Sequence, residues 1–230
     1  MADLFDVRKK FLANLNTIKN VRQDFPHWHH GRLRYAFWAI DVDFPAVRQQ
    51  VLAAAQHLEK FLIQGYCRQP HITLGICGFI ANELLHADDY IASNFAAHLE
   101  ALKYLHIDPF EIEVGALASF SSAPFLHVSH TSNNLQKLHA CLNALTSDAH
   151  FQYVPHVTVG LYSESWSTKI VSNHLDNFPP DFVTSCLIEK ISLMSYIAAE
   201  IGGKLVTIAD YDLAHAEIHW HEPPPFNHAL

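Results

Sequence analysis

The hydrophobic positions of this chain switch repeatedly between a period near 3.6 and short, nearly continuous apolar runs, the pattern of helices alternating with strands. Leu4, Phe5, Phe11, Leu12, Leu15 and Ile18 recur at helical spacing with Asp3 available as N-cap, so an N-terminal helix is expected within residues 1–20. DFPHWHHGR reads as a loop by its Pro and Gly, and LRYAFWAIDVD as a buried strand. Pro45 suits a first helical turn, and Ala46 to Ile63 keeps the helical period. HITLGICGFI reads as strand, and DDYIASNFAAHLEALKYL as a helix opening at its acidic pair.

FEIEVGALASF and PFLHVSH follow as strands, SNNLQKLHACLNAL as a helix capped by Ser132 or Asn133, and HVTVGLY as strand. SWSTKIVSNHLDNF reads as a helix stopped before Pro179 and Pro180. CLIEKISLMSYIA and KLVTIADYDLA flank AEIGG as a hairpin. Residues 216–230 are expected to form a C-terminal tail, irregular over HWHEPPPFNHAL, and residues 21–215 one domain, since no linker or charge run divides them. The expected class is α+β, two pseudo-symmetric lobes of antiparallel sheet with helices outside and a cleft between them.

That symmetry comes from an internal repeat: QPHITLG ends at Gly75 and VPHVTVG at Gly160. In a strand, side chains two apart share a face, so His71 and Thr73 point one way and Ile72 and Leu74 the other, as do their counterparts around His156 and Thr158. With both strands facing one cleft, two imidazoles and two hydroxyls converge. Histidine titrates near neutrality, so one ring can act as base and the other as acid, and the hydroxyls can donate to phosphate oxygens. Among 18 histidines a single H-x-T is an expected coincidence, whereas two copies sharing Pro, an aliphatic residue and Gly are not.

At these residues the chain resembles the 2H phosphoesterases, the LigT-like or 2',5' RNA ligase-like group. RLRYAFWAIDVD is similar to the family's first strand, and PHITLGICG and PHVTVGLY to its two motifs. The resemblance implies metal-independent hydrolysis of a ribose cyclic phosphodiester, on an RNA end or a small nucleotide. It also implies His71 as proton donor, His156 as acceptor, and Thr73 and Thr158 as phosphate ligands. Many members carry an Arg shortly after the second motif, where this chain has Leu161 and Tyr162. Two other readings stand beside it: cleavage of 2',5'-linked oligoadenylate by the same four residues, and a nucleotide-binding module without turnover.

Charge narrows the partner. A net charge of -8 argues against a long nucleic acid duplex and leaves a small nucleotide or an RNA terminus. No run reaches a membrane span, and the opening residues lack the apolar core of a signal peptide, so a cytoplasmic protein is expected. Oligomeric state stays open. No cofactor is expected; Cys67, Cys77, Cys141 and Cys186 stand apart without a zinc or disulfide pattern. Tyr162 and Phe120, with Phe79 and Tyr196, are candidates to stack a base, against the commoner role of an aromatic in the core. Arg68 and Lys204 are candidates to meet phosphate charge, against a solvated surface role. His27, His29 and His30, and His215, His219 and His221, are read as surface histidines rather than metal ligands, although His215 and His219 share a face if that stretch is helical.

Overall fold

The computed structural model describes residues 4–130, 132–144, 153–179 and 183–226. The helices are α1 (Leu4–Ala13), α2 (Pro26–His29), α3 (Pro45–His57), α4 (Ala92–Leu105), α5 (Asn134–Leu142) and α6 (Thr168–Asp176). The strands are β1 (Arg34–Asp41), β2 (His71–Ile80), β3 (Asp89–Tyr90), β4 (Phe110–Ser119), β5 (Pro124–His130), β6 (His156–Thr158), β7 (Thr184–Ile188), β8 (Lys190–Ile197), β9 (Val206–Asp212) and β10 (Glu217–Trp220). They form a six-stranded sheet ordered β10-β9-β8-β1-β2-β3 and a four-stranded sheet ordered β6-β5-β4-β7. All pairings are antiparallel except β2 with β3. Each sheet thus carries one copy of the repeat, on β2 and on β6, and the α+β architecture is the expected one.

One apolar core joins the sheets and helices. It takes Ala36, Trp38 and Ile40 from β1, Ile112 and Val114 from β4, and Leu126 and Val128 from β5. The alternate residues of β1 face away: Phe37 and Ala39 form a second cluster with Met194 and Leu205, bordered by Tyr196. A strand buried on both faces explains why β1 reads as a continuous apolar run.

Several boundaries depart from expectation. The helix expected within residues 1–20 ends at Ala13; the chain then runs extended along the second lobe, where Thr17, Ile18 and Asn20 donate backbone bonds to Trp166, Ser121 and Tyr162. Asp3, the expected cap, lies outside the described residues. The segment around His27 contains one helical turn, α2, closed by His30 in the left-handed region (φ 48). α3 stops at His57, because Glu59–Phe61 tightens into a 3-10 turn. The acidic pair does not open α4: Asp88 and Asp89 both bind Arg32, and the helix begins at Ala92 after Ile91, whose N–H donates to Asn94.

CLIEKISLMSYIA is not one strand. Its halves, β7 and β8, belong to different sheets, and the chain crosses between them at Glu189. The irregular tail expected over HWHEPPPFNHAL is corrected as well, since β10 carries His219 and Trp220 into pairing with β9 and Phe226 is buried in the core. β6 has only three residues of the strand expected over HVTVGLY, but Tyr162 bridges to Leu62 farther along.

Candidate active site

Each residue of the repeat has a structural task. Pro70 and Pro155 open the two motif strands, where a missing N–H is tolerated, and their carbonyls accept from Val42 (3.2 Å) and Val128 (3.1 Å) on the neighbouring segment. Ile72, Leu74, Val157 and Val159 are buried in the core. Thr73 and Thr158 lie half-buried on the opposite face, as the two-residue period requires. The glycines permit close packing: a Cβ on Gly75 would stand 2.7 Å from Leu142 Cβ on α5, and one on Gly160 would stand 2.9 Å from Leu62 Cδ1.

The histidines are held alike. His71 Nδ1 lies 2.7 Å from the carbonyl of Gln69, and His156 Nδ1 lies 2.7 Å from the carbonyl of Val154. A carbonyl only accepts, so Nδ1 carries the hydrogen in both rings. The exchangeable position is therefore Nε2, a lone pair on the neutral ring and an acid on the charged one. The hydroxyls of Thr73 and Thr158 have no partner among the described residues.

Burial pushes the His71 imidazole down to about 4, aided by the charges of Arg68 and His156 and opposed by the bond to Gln69. His156 is also lowered by burial, against its bond to Val154. β2 and β6 pack against each other, and the His71 ring senses the charge of His156 across that junction. Phe37 packs on His71 at 5.5 Å between ring centres, and Phe120 and Phe125 pack on His156 at 5.0 and 5.2 Å. Both imidazoles thus have one apolar wall.

A brace that the sequence did not reveal ties the two motifs. Tyr153 Oη donates to the carbonyl of Thr73 at 2.9 Å. His139 stacks on the Tyr153 ring at 4.0 Å and reaches the carbonyl of Leu74 through Nδ1 at 2.7 Å, and Asn143 Nδ2 donates to the same carbonyl at 2.8 Å. The partners lie far apart in the chain, and no spacing pattern announces them.

The remaining candidates separate clearly. Tyr162 is fully buried, with its hydroxyl bonded to Ser119, and burial raises it to about 12; a base cannot reach it, which corrects the sequence expectation. Phe79 is likewise buried, beneath Arg32 and beside Trp28. Phe120 stays half-exposed against His156, and Tyr196 is half-buried under the Arg68 guanidinium. Lys204 is exposed before β9.

His29 binds Asp24, and His30 stacks on His86. His215 binds Asp212 in the β9–β10 turn, His219 lies on β10, and His221 binds Asp210; this stretch is a hairpin, not a helix. Among the described residues, no group of three or more His, Cys, Asp or Glu is placed to hold a metal ion, and no helix is long and apolar enough to cross a membrane.

Known proteins give the same picture of the fold. A search of the curated proteins finds no match. Among solved structures, TT0787 of Thermus thermophilus superposes with a TM-score of 0.52 at 14% identity, covering 78% of this chain and 97% of that one. E. coli LigT complexed with 3'-AMP superposes with a TM-score of 0.51 at 16% identity, covering 79% and 98%. A structure described as a phosphoesterase gives 0.51 at 16% identity, covering 78% and 98%. The model of the 2'-5' RNA ligase superfamily matches residues 36–200, a span that begins on β1, takes in both H-x-T strands and ends just after β8. With two unequal, mainly antiparallel sheets each presenting one copy of the motif, the chain belongs to the 2'-5' RNA ligase superfamily of 2H phosphoesterases.

Proposed function

We propose that the protein is a metal-independent phosphoesterase that hydrolyses a ribose 2',3'-cyclic phosphate, with His71 and His156 as its acid–base pair. The observation that carries this reading is the matched pair of Nδ1–H bonds to Gln69 and Val154, which leaves Nε2 of each ring as the group able to exchange a proton. One ring takes a proton from water as its oxygen attacks phosphorus. The bond from phosphorus to one ribose oxygen breaks, and the other ring protonates that oxygen, giving a nucleoside monophosphate. The hydroxyls of Thr73 and Thr158, without a partner among the described residues, donate to the non-bridging oxygens as charge grows there, and Phe120 packs against the His156 ring.

Family resemblance makes His71 the donor. Substrate binding must then oppose the burial that lowers this ring, because anionic phosphate oxygens beside it favour its charged form. Nucleotide ligands in a superfamily neighbour, E. coli LigT with 3'-AMP, support a small nucleotide or an RNA terminus as the partner. Four unpaired cysteines, one of them exposed, suit the reducing cytoplasm.

Incubation with nucleoside 2',3'-cyclic phosphates and 2',5'-linked oligoadenylate tests the reading. Monophosphate should form from the cyclic substrates at a rate unchanged by EDTA. Loss with EDTA and recovery with zinc would overturn the metal-independent mechanism. Affinity without product would favour a binding module, and product from oligoadenylate alone would reassign the bond.

A further inference from the structure

The face of the six-stranded sheet that carries His71 continues as a row of rings. Phe37 lies 5.5 Å from His71, Tyr196 lies 6.1 Å from Phe37, Tyr35 lies 5.6 Å from Tyr196, and Trp28 closes the row at 5.2 Å from Tyr35. Phe37 is buried as the floor of the second apolar cluster, whereas Tyr196, Tyr35 and Trp28 are half-buried and offer part of their surfaces to solvent. The main core does not use these rings.

Three arginines border the row, and among the described residues one of them has no acidic partner. Arg32 is held by Asp88 and Asp89, and Arg34 by Glu222 and Ser195. Arg68 has no carboxylate among the described residues; its guanidinium lies 4.0 Å above the Tyr196 ring, and its buried Nε lacks a hydrogen-bond partner. That Nε lies out of reach of solvent, so a phosphate would meet the outer nitrogens of the guanidinium.

Arg68 is also firmly placed. Cys67 N–H donates to Gly202, while the Gln69 side chain both donates to the Leu205 carbonyl (2.9 Å) and accepts from its N–H (2.8 Å). The segment before His71 is thereby fixed to the loop before β9. A planar guanidinium on an aromatic face matches phosphate oxygens, and neighbouring rings accept a base of any identity.

We propose that this face holds a second nucleotide of the substrate, with Arg68 on the phosphodiester joining it to the reacting nucleotide and Tyr196 and Tyr35 against its base. The proposal rests on the reading of His71 and His156 as the reacting site. It makes the substrate a short single-stranded oligonucleotide end rather than a free mononucleotide. Net charge is no obstacle, because a single local cation serves a single phosphodiester.

Equilibrium binding of a nucleoside 3'-phosphate and of a dinucleotide bearing the same 3'-phosphate tests the proposal without requiring turnover. The dinucleotide should bind at least about tenfold more tightly to the native protein. Arg68→Met and Tyr196→Leu should each remove most of that advantage, read as the ratio of the two affinities within each variant, and Tyr196→Phe should retain it. Arg68→Met should also lower the slope of log affinity against log salt for the dinucleotide by about 0.7, the value of one single-strand phosphate contact, whereas Arg68→Lys should keep the slope. Equal affinity for the two ligands, or an advantage that survives Arg68→Met, overturns the second subsite while the reacting site stands. Failure of both ligands to bind overturns the subsite together with the reading on which it rests.

Discussion

The hydroxyl of Tyr153 donates to the backbone carbonyl of Thr73 at 2.9 Å, so the residue three positions before the second histidine holds the strand that bears the first. Two histidines on separate sheets keep a fixed separation only if something spans the sheets. Tyr153, stacked on His139, is such a span.

Tyr153→Phe removes that one bond and keeps the ring. The lost bond should lower unfolding free energy by about 1 kcal/mol, somewhat more if the Thr73 carbonyl finds no water. If the brace sets the geometry, kcat should fall by about tenfold well below the melting temperature, with KM little changed, because misplacement of reacting groups is read in the rate. A lowered Tm with unchanged kcat would reduce Tyr153 to a structural role. Steady-state kinetics beside thermal unfolding separates the two outcomes.

The repeated glycines should differ in cost. Gly75→Ala drives a Cβ to 2.7 Å from Leu142 Cβ and 3.2 Å from its carbonyl oxygen, atoms fixed by α5. Destabilisation of about 1–3 kcal/mol is expected, as for other overpacked sites. Gly160→Ala meets the end of the Leu62 side chain, which can turn aside, so about 1 kcal/mol or less is expected. Urea midpoints at constant m-value measure both.

Stability should fall on mild acidification. Burial holds His71 and His98 at about 4 and lowers His156. The unfolded chain binds protons on these rings near pH ~6.5, before the folded chain does. Their contribution is therefore complete above ~6.5 and is lost as pH falls toward 4, on the order of 3 kcal/mol each for His71 and His98. Below that, Asp89 and Asp210, lowered by Arg32 and by Lys190 against the cost of their own burial, extend the loss. Urea unfolding at pH 7 and pH 5 should show the decline, and His71→Asn should make it shallower; a flat profile would contradict the burial of these rings.

The repeat was legible because a strand repeats every two residues: once PHITLG and PHVTVG are strands, the shared face of His71 with Thr73 and of His156 with Thr158 follows. Other features depend on tertiary structure. β7 and β8 read as one strand because both halves are apolar, and nothing at Glu189 marks a change of sheet. Tyr162 looked like a stacking residue because an aromatic beside a motif reads the same whether it faces a ligand or Ser119. Asp88 and Asp89 resembled a helix start until Arg32, far earlier in the chain, bound both. For Arg68 the sequence leaves phosphate contact and a solvated role side by side, because its ring partner, Tyr196, is distant in sequence.

The central claim, that His71 and His156 form one acid–base pair at a shared phosphate, is tested most directly by kcat/KM on the preferred 2',3'-cyclic substrate, measured across pH in EDTA for the native protein, His71→Ala, His156→Ala and the double variant. The native profile should be bell-shaped, with limbs that belong to the coupled pair. Each single variant should lose at least about 10²-fold, and the double variant little more than the worse single one, because half of the pair leaves no complete proton path. Near-native turnover by His71→Ala, or losses that multiply in the double variant, would show that the two rings do not act as a unit and would contradict the account.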